Sequence, residues 1–393
     1  MPLISEELEP NRGEAPPRLL TPQRLLGFTC LLLLSGILYA GLHPFQVPAN
    51  QVAWVANDNA VHLGESGTLL SSGSFQPPVA GGAERSLEIW VKPGKIEDSG
   101  TLLSFFSPSS SRHLSLSQSE SDLEVRIESS DAWRSLRTDK MYIDHAFLDG
   151  KAAFWTATFG RSGTAVYRNG KLIRRSPLLA SGSEISGLLV IGTSPIFNQG
   201  WSGILRGLAI YDAVLDRTQI ERHYQSWTQK ETPVLTKDDA CVALYLFNEH
   251  SGRVVHNRVR SENDLYIPAK YLVVRQTVLD PVWRAFNWSR GFWQDAFINI
   301  AGFIPFGCFF CAYFWARGLR SPALQASVLG AAVSLFIELT QTRLPTRDSS
   351  MCDVINNTLG SICGALAYRG DVRRLLDQVI AGTADMYRKV RLS

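Results

Sequence analysis

Charge of one sign is scarce in this sequence. The 39 lysines and arginines nearly balance 36 aspartates and glutamates, leaving +3 on 393 residues. That is too little to argue for a nucleic-acid partner, and no basic stripe interleaved with aromatics compensates for it. Cysteine is also sparse, at six residues. Cys30, Cys308, Cys311 and Cys363 fall inside apolar segments, and Cys352 sits at the edge of one. Only Cys241 lies in the polar part, which excludes a disulfide within that part. Cys308-x-x-Cys311 has half the spacing of a zinc site, but no second pair exists and its surroundings are apolar, so packing is expected. The seven histidines are scattered and form no triad or metal spacing. No catalytic residue, metal or cofactor is therefore assigned.

What is present divides by solvent. Residues 45–290 are polar, rich in Gly and Ser, and broken into short alternating runs. Residues 25–42 and 296–368 are strongly apolar. Leu25–Leu42 is uncharged and just long enough to span a hydrocarbon core of about 30 Å, which predicts a transmembrane helix over 25–43. Arg18 and Arg24 keep the 1–24 tail in the cytoplasm. A cleaved signal peptide is the competing reading. Either way, the following segment is translocated.

Three more apolar segments follow: Ala296–Ala316, broken at Pro305, then Pro322–Gln341 and Cys352–Tyr368. Arg317 and Arg320 lie between the first two. Arg369, Arg373, Arg374, Arg388, Lys389 and Arg391 follow the last. Four spans with both termini cytoplasmic satisfy the positive-inside rule. Apolar residues at 372, 375, 376, 379 and 380 predict that the basic tail, 370–393, forms an amphipathic helix on the inner membrane surface.

Residues 50–265 read as strands separated by turns. Leu87–Val91 alternates and ends at Lys92-Pro93-Gly94. Leu102–Phe106, His113–Ser117, Leu123–Ile127, Ala152–Phe159 and Thr164–Tyr167 follow. Asn169-Gly170 marks a hairpin between Ala165–Tyr167 and Leu172–Arg174. The first helical period is Arg217–Trp227. The order LEIWVKP (87–93), TLLSF (101–105), AVYRNGKLI (165–173), LLVIGTS (188–194) and WSGILRGLAIYDAVLDRTQIERHY (201–224) resembles the concanavalin A-like, laminin-G-like jelly-roll family. The run 241–257 resembles a strand that accompanies such domains. The resemblance implies an all-β sandwich that binds glycan or protein. Trp133, Tyr142 and Trp201 are its candidate sugar-stacking aromatics, with core packing as the competing role. Glu120-x-Asp122-x-Glu124 has the spacing of a glucanase catalytic strand, yet Ser119–Asp122 reads as a hairpin turn.

Polar residues inside apolar segments are costly and suggest function. Asp295, Asn299 and Gly302 share one helix face. Glu338, Gln341 and Thr342 share a second, and Asp353, Asn356, Asn357 and Gly360 a third. All three sets fall at the extracytoplasmic helix ends, under a short loop carrying Arg343, Arg347 and Asp348. The expected result is a polar pocket, with the arginines neutralising the carboxylates. The alternative is polar glue between helices, which Gly360-x-x-x-Gly364 favours. NIAGFIPFG (299–307), IELTQ (337–341) and RDSSMCDVINNTLGSICG (347–364) resemble the VanZ-like membrane proteins, a bacterial family named for a member linked to glycopeptide-antibiotic resistance. The resemblance implies a sandwich at 50–265 inserted into a four-helix transmembrane domain, with a 266–295 juxtamembrane linker and helices 2–4 over 296–369.

Three functions fit these readings. The first is a non-enzymatic envelope protein of the bacterial cell membrane, contacting lipids, a lipid-linked cell-wall precursor, and a glycan or envelope protein. The second is a membrane enzyme acting on a lipid-linked sugar or phosphate through the intramembrane carboxylates, although no nucleophile–base pair is visible. The third is an anchored adhesion module.

Overall fold

The structure is a computed structural model. It describes residues 22–76, 84–110, 112–129, 139–177, 179, 182–196, 198–230, 235, 239–275, 277–285, 290–369 and 374. The amphipathic-tail expectation and Trp133 fall outside the described residues. The chain divides into two compact units. The described parts of Met1–Gly41, Trp293–Ser334 and Ile355–Ser393 make the first, and those of Leu42–Phe292 and Leu335–Val354 the second.

The second unit is built on strands β1 (Val52–Trp54), β2 (Val61–Leu63), β3 (Leu69–Phe75), β4 (Arg85–Pro93), β5 (Ser99–Phe106), β6 (Arg112–Ser119), β7 (Asp122–Ser129) and β8 (Asp139–Ile143). It continues with β9 (Ala153–Gly160), β10 (Gly163–Arg168), β11 (Lys171–Ser176), β12 (Gly187–Ile191), β13 (Gly203–Tyr211), β14 (Cys241–Tyr245), β15 (Val254–Val255) and β16 (Leu265–Tyr266). Two antiparallel eight-stranded sheets result. One runs β1-β2-β13-β4-β9-β10-β11, with β14 also on β13, and the other runs β15-β16-β3-β12-β5-β6-β7-β8. Neighbours distant in sequence make this a jelly-roll-type sandwich rather than a meander.

The strand period of two explains the core. In β4, Leu87, Ile89 and Val91 are buried between the sheets with Phe105, Leu116, Val125 and Phe159. Each such side chain contributes about 1.5–3 kcal/mol on burial. The other face of this sheet is buried as well. There the helix α2 (Arg217–Lys230) covers Phe154, Tyr167, Ala209 and Tyr211 with Ile220 and Trp227. Gly207 allows this approach, since a Cβ there would run into the Trp227 ring. Asn169 and Gly170 both have positive φ, at 51° and 78°, which is the backbone that a two-residue hairpin turn requires.

Residues 266–275, expected as a linker, pack on the sandwich. Tyr271 and Val273 are buried, and the Tyr271 hydroxyl lies 2.7 Å from Thr193 Oγ1. A short helix, α3 (Val282–Ala285), follows.

The first unit is helical. It draws on α1 (Pro22–Leu42), α4 (Arg290–Ala316), α5 (Pro322–Gln341) and α6 (Met351–Arg369). Leu26 and Cys30 of α1 share one buried cluster with Phe303, Phe306, Phe310 and Cys311 of α4, Ala326 of α5, and Ala365 and Tyr368 of α6. Cys308 and Cys311 are both buried there and unbridged. The chain does not break at Pro305, and α4 runs through it. A proline removes one ladder hydrogen bond, and in an apolar helix neighbouring packing tolerates that loss. Glycines set the closest approaches. A Cβ on Gly360 would strike the Ile300 carbonyl, one on Gly364 the Ile304 carbonyl, and one on Gly307 the Ser361 carbonyl.

Among the described residues, three helices are long and apolar enough to cross a membrane: Gln23–Leu42, Arg290–Ala316 and Pro322–Gln341. The helix α6, expected as the fourth, is not among them. It is a 19-residue helix that carries Asp353, Asn356, Asn357 and Arg369.

Candidate functional site

The ten residues expected to line one polar pocket are distributed over both units. In the second unit, Glu338 ends near the start of α6 and is only 2% exposed. Its Oε2 accepts the Ser350 N–H at 2.7 Å, and the Ser349 side chain is a second hydrogen-bond partner. Ser349 Oγ in turn accepts the Leu279 N–H at 3.1 Å. Ser350 caps α6, its Oγ taking the Cys352 N–H at 3.1 Å, as an N-cap serine does. The Asp280 backbone fastens the same junction. Its N–H donates to Ser349 O at 2.8 Å, and its carbonyl accepts from Met351 N at 3.0 Å. A carboxylate at a helix N-terminus is favoured by the orphan N–H groups and the dipole. The Glu338 carboxylate therefore meets an amide and a hydroxyl, with half-buried Asp353 as its electrostatic neighbour. Gln341 is buried at the end of α5.

The loop between α5 and α6 uses its charges differently from the expectation. Arg347 places Nε and Nη2 on the His43 carbonyl, at 3.2 and 2.6 Å. Asp348 Oδ1 accepts the Asn198 N–H at 3.0 Å, and Asn198 Nδ2 donates to Thr346 O at 2.9 Å. Both charged residues thus bind backbone groups. Arg343 is exposed.

In the first unit, Asn357 is buried and its Nδ2 donates to Ser334 Oγ at 2.9 Å. Asn357 Oδ1 and Ser361 Oγ are buried with no hydrogen-bond partner. Asn299 and Asn356 are half-buried, and Asp295 is exposed.

Among the sandwich aromatics, Trp201 is corrected to a core residue. It is 1% exposed, and its indole N–H reaches Gln118 Oε1 at 2.8 Å, so no sugar can stack on it. Tyr142 on β8 is exposed at 38%. The carboxylates at 120–124 form no catalytic strand face. Glu120 sits in the β6–β7 turn with φ 53°. Asp122 accepts the His145 N–H at 2.8 Å, and Glu124 pairs with Lys140 at 3.1 Å.

Sequence reasoning missed a buried ionic cluster beneath α2. His223 Nδ1 lies 3.1 Å from Glu88 Oε1, and its Nε2 lies 3.3 Å from Asp239 Oδ2. The Tyr211 hydroxyl donates to Glu88 Oε2 at 2.6 Å, while Gln219 and Arg222 donate to Asp239. Burial lowers the His223 pKa, but the two carboxylates outweigh it and the net shift is upward. Burial, with Glu88 beside it, holds the Tyr211 phenol well above its ordinary range. The available signal was a charge at the α2-facing position of the apolar run LEIWV. Among the described residues, no three His, Cys, Asp or Glu side chains are placed to hold a metal ion.

Two families match this chain. Residues 240–375 match VanZ/LLP1. Residues 56–221 match the concanavalin A-like lectin/glucanases superfamily. The protein joins a VanZ/LLP1 region to a concanavalin A-like domain. With its apolar helices, the VanZ/LLP1 region makes this a membrane protein. The VanZ/LLP1 match begins in the last strands of the sandwich, ahead of α4. No curated protein matches the chain.

Solved structures that match include a Bacteroides ovatus protein proposed to bind carbohydrate, at 10% identity and TM-score 0.36, covering 58% of this chain and 61% of that one. The chain therefore spans under two thirds of that protein. The receptor binding domain of botulinum neurotoxin C/D mosaic serotype matches at 15% identity and TM-score 0.36, covering 46% of each chain. A heptameric SAP-like pentraxin from Limulus polyphemus matches at 14% identity and TM-score 0.35, covering 58% of this chain and 94% of that one.

Proposed function

We propose that this protein is a non-enzymatic component of a bacterial cell envelope. Its sandwich binds a glycan on the extracytoplasmic side. The junction of α5 and α6 receives the sugar-bearing headgroup of a lipid-linked cell-wall precursor, and the apolar helix faces contact membrane lipids.

One observation carries this reading: the Glu338 carboxylate is buried at the end of a membrane-length helix, held by an amide and a hydroxyl with a second carboxylate beside it. Burying a carboxyl group with no cation beside it is costly, and helix packing alone needs no such group. A junction with acceptors suits a ligand rich in hydroxyl donors, which would meet half-buried Asp353 while the sealed Glu338 holds the junction from beneath. The neighbouring carboxylates disfavour direct contact with phosphate.

Complementation tests the reading. The gene is deleted from its host, and sensitivity to cell-wall antibiotics and envelope stress is scored. It is then restored as wild type or as Glu338→Gln with Asp353→Asn. Failure of the double carboxamide at a normal membrane level supports the junction as the working part. Full rescue by it removes the junction from the function.

A further inference from the structure

The geometry points to a saccharide-binding cleft at one end of the sandwich, where the end of β3 faces the start of β4 and the loop joining β15 to β16. This deepens the reading of the sandwich as a glycan binder and rests on it. The cleft has a volume of about 610 Å³ and is lined by Arg85, Asp212, Arg260, Glu262 and Asn263, among others. That is inside the range of small-molecule sites, about 300–1,000 Å³.

Its polar groups are fixed before any ligand arrives. The Arg85 side chain is 3% exposed. Its Nε lies 2.8 Å from Asp212 Oδ1, its Nη2 donates to the Gln76 carbonyl at 2.6 Å, and its Nη1 donates to the Ile185 carbonyl. A guanidinium saturated in this way positions Asp212 and has little left to offer a ligand. Asp212 is 42% exposed, so its carboxylate meets both the guanidinium and solvent.

The opposite wall is equally set. Asn263 has φ 63°, a backbone that non-glycine residues hold only when surrounding bonds impose it. Here the Tyr245 hydroxyl donates to the Asn263 carbonyl. Ser72 N donates to Asp264 O at 2.7 Å, and Asn257 Nδ2 donates to Glu262 O at 3.0 Å. Arg260 and Glu262 are exposed on this fixed loop.

The charges select the ligand class. Two guanidiniums and two carboxylates cancel, so the cleft has no net attraction for an anion or a cation. Carboxylate and amide oxygens accept from sugar hydroxyls, while guanidinium and amide N–H groups donate to hydroxyl or acetamido oxygens. A neutral polyhydroxylated ring uses both sets at once, whereas a phosphate or a fatty chain uses one or neither.

The test is saturation-transfer NMR on the full chain in nanodiscs. The probes are cellobiose, N,N′-diacetylchitobiose, glucuronic acid and inorganic phosphate. We expect a neutral disaccharide to bind, and Arg260→Ala and Glu262→Gln each to weaken it about tenfold with unchanged melting temperature. Both side chains are exposed, so neither change threatens folding. Neutral-sugar binding untouched by both variants but lost in Tyr142→Ala would overturn the cleft and leave the sandwich a glycan binder elsewhere. Binding of phosphate or glucuronic acid alone would overturn the neutral-sugar assignment. No binding of any probe would overturn the cleft and the glycan reading together.

Discussion

Asp348 accepts the backbone N–H of Asn198 at 3.0 Å, across 150 positions of sequence. Asn198 answers through Nδ2 to Thr346 O at 2.9 Å, so the loop after α5 is clamped twice to the loop after β12. A hydrogen bond to a charged group contributes about 1.5–3 kcal/mol, and exposure of Asp348 places this one at the low end. Asp348→Ala should lower the melting temperature of the detergent-solubilised chain by a few degrees. Asp348→Asn, which keeps an acceptor oxygen, should recover most of the loss. Equal melting for all three proteins would show that the clamp adds nothing.

The glycines of the helical unit predict a graded series. Gly364→Val and Gly307→Val each drive a side chain into a backbone carbonyl of the facing helix. Backbone cannot swing aside as a side-chain end can, so overpacking there should cost about 3 kcal/mol or more. Gly36 and Gly302 have open space where a Cβ would sit, and Ala at either should be neutral. Trypsin resistance in detergent separates the two classes. A sensitive Gly302→Ala would mean that this face is packed after all.

Much of the sandwich was legible because alternation and turn chemistry are local. The run 87–91, the 169–170 turn and the helix at 217 all stand where the pattern put them, within a few residues. The helix ends were less legible. The start of α4 at Arg290 lies ahead of the apolar run, and Pro305 does not stop a helix whose neighbours supply the packing. The polar residues at 338–357 were visible as polar, but their partners were not. Whether Arg347 faces a carboxylate or the carbonyl of His43 depends on chain brought from 304 positions away. The cleft beside Arg85 was illegible for the same reason, since its walls come from five stretches of sequence.

His223 predicts a pH dependence for the sandwich. Its folded pKa is raised, because Glu88 and Asp239 outweigh the effect of burial. A raised pKa stabilises the fold fully below the unfolded value, about 6.5, and that stabilisation is lost as pH rises through the higher folded value. Tyr211 stays neutral across this window because its own pKa is pushed upward. Urea midpoints for the sandwich transition should therefore fall between pH 6 and pH 9, and His223→Gln should flatten the profile while lowering it at pH 6. A wild-type midpoint that rises over this range would contradict the assignment of a protonated His223.

The orientation proposed for the chain rests on where its arginines sit, and labelling can test it residue by residue. Arg317 and Arg320 occupy the short connection between α4 and α5, which the positive-inside rule predicts to be cytoplasmic. With one crossing back through α4, the proposed orientation has the sandwich outside. In a cysteine-depleted chain, Leu148→Cys, on an exposed sandwich loop, should react with an impermeant maleimide in intact cells. Arg320→Cys should react only after permeabilisation. Ser393→Cys decides the status of α6, the helix whose Asp353, Asn356 and Asn357 make it the least apolar of the four. If α6 crosses, the tail shares the cytoplasmic side with Arg320 and stays protected until the cells are opened. Labelling of Ser393→Cys in intact cells would leave three spans and a re-entrant or interfacial α6. The polar groups of α6 would then be near water rather than in hydrocarbon, and Glu338 would lose the low-dielectric setting on which its proposed role depends.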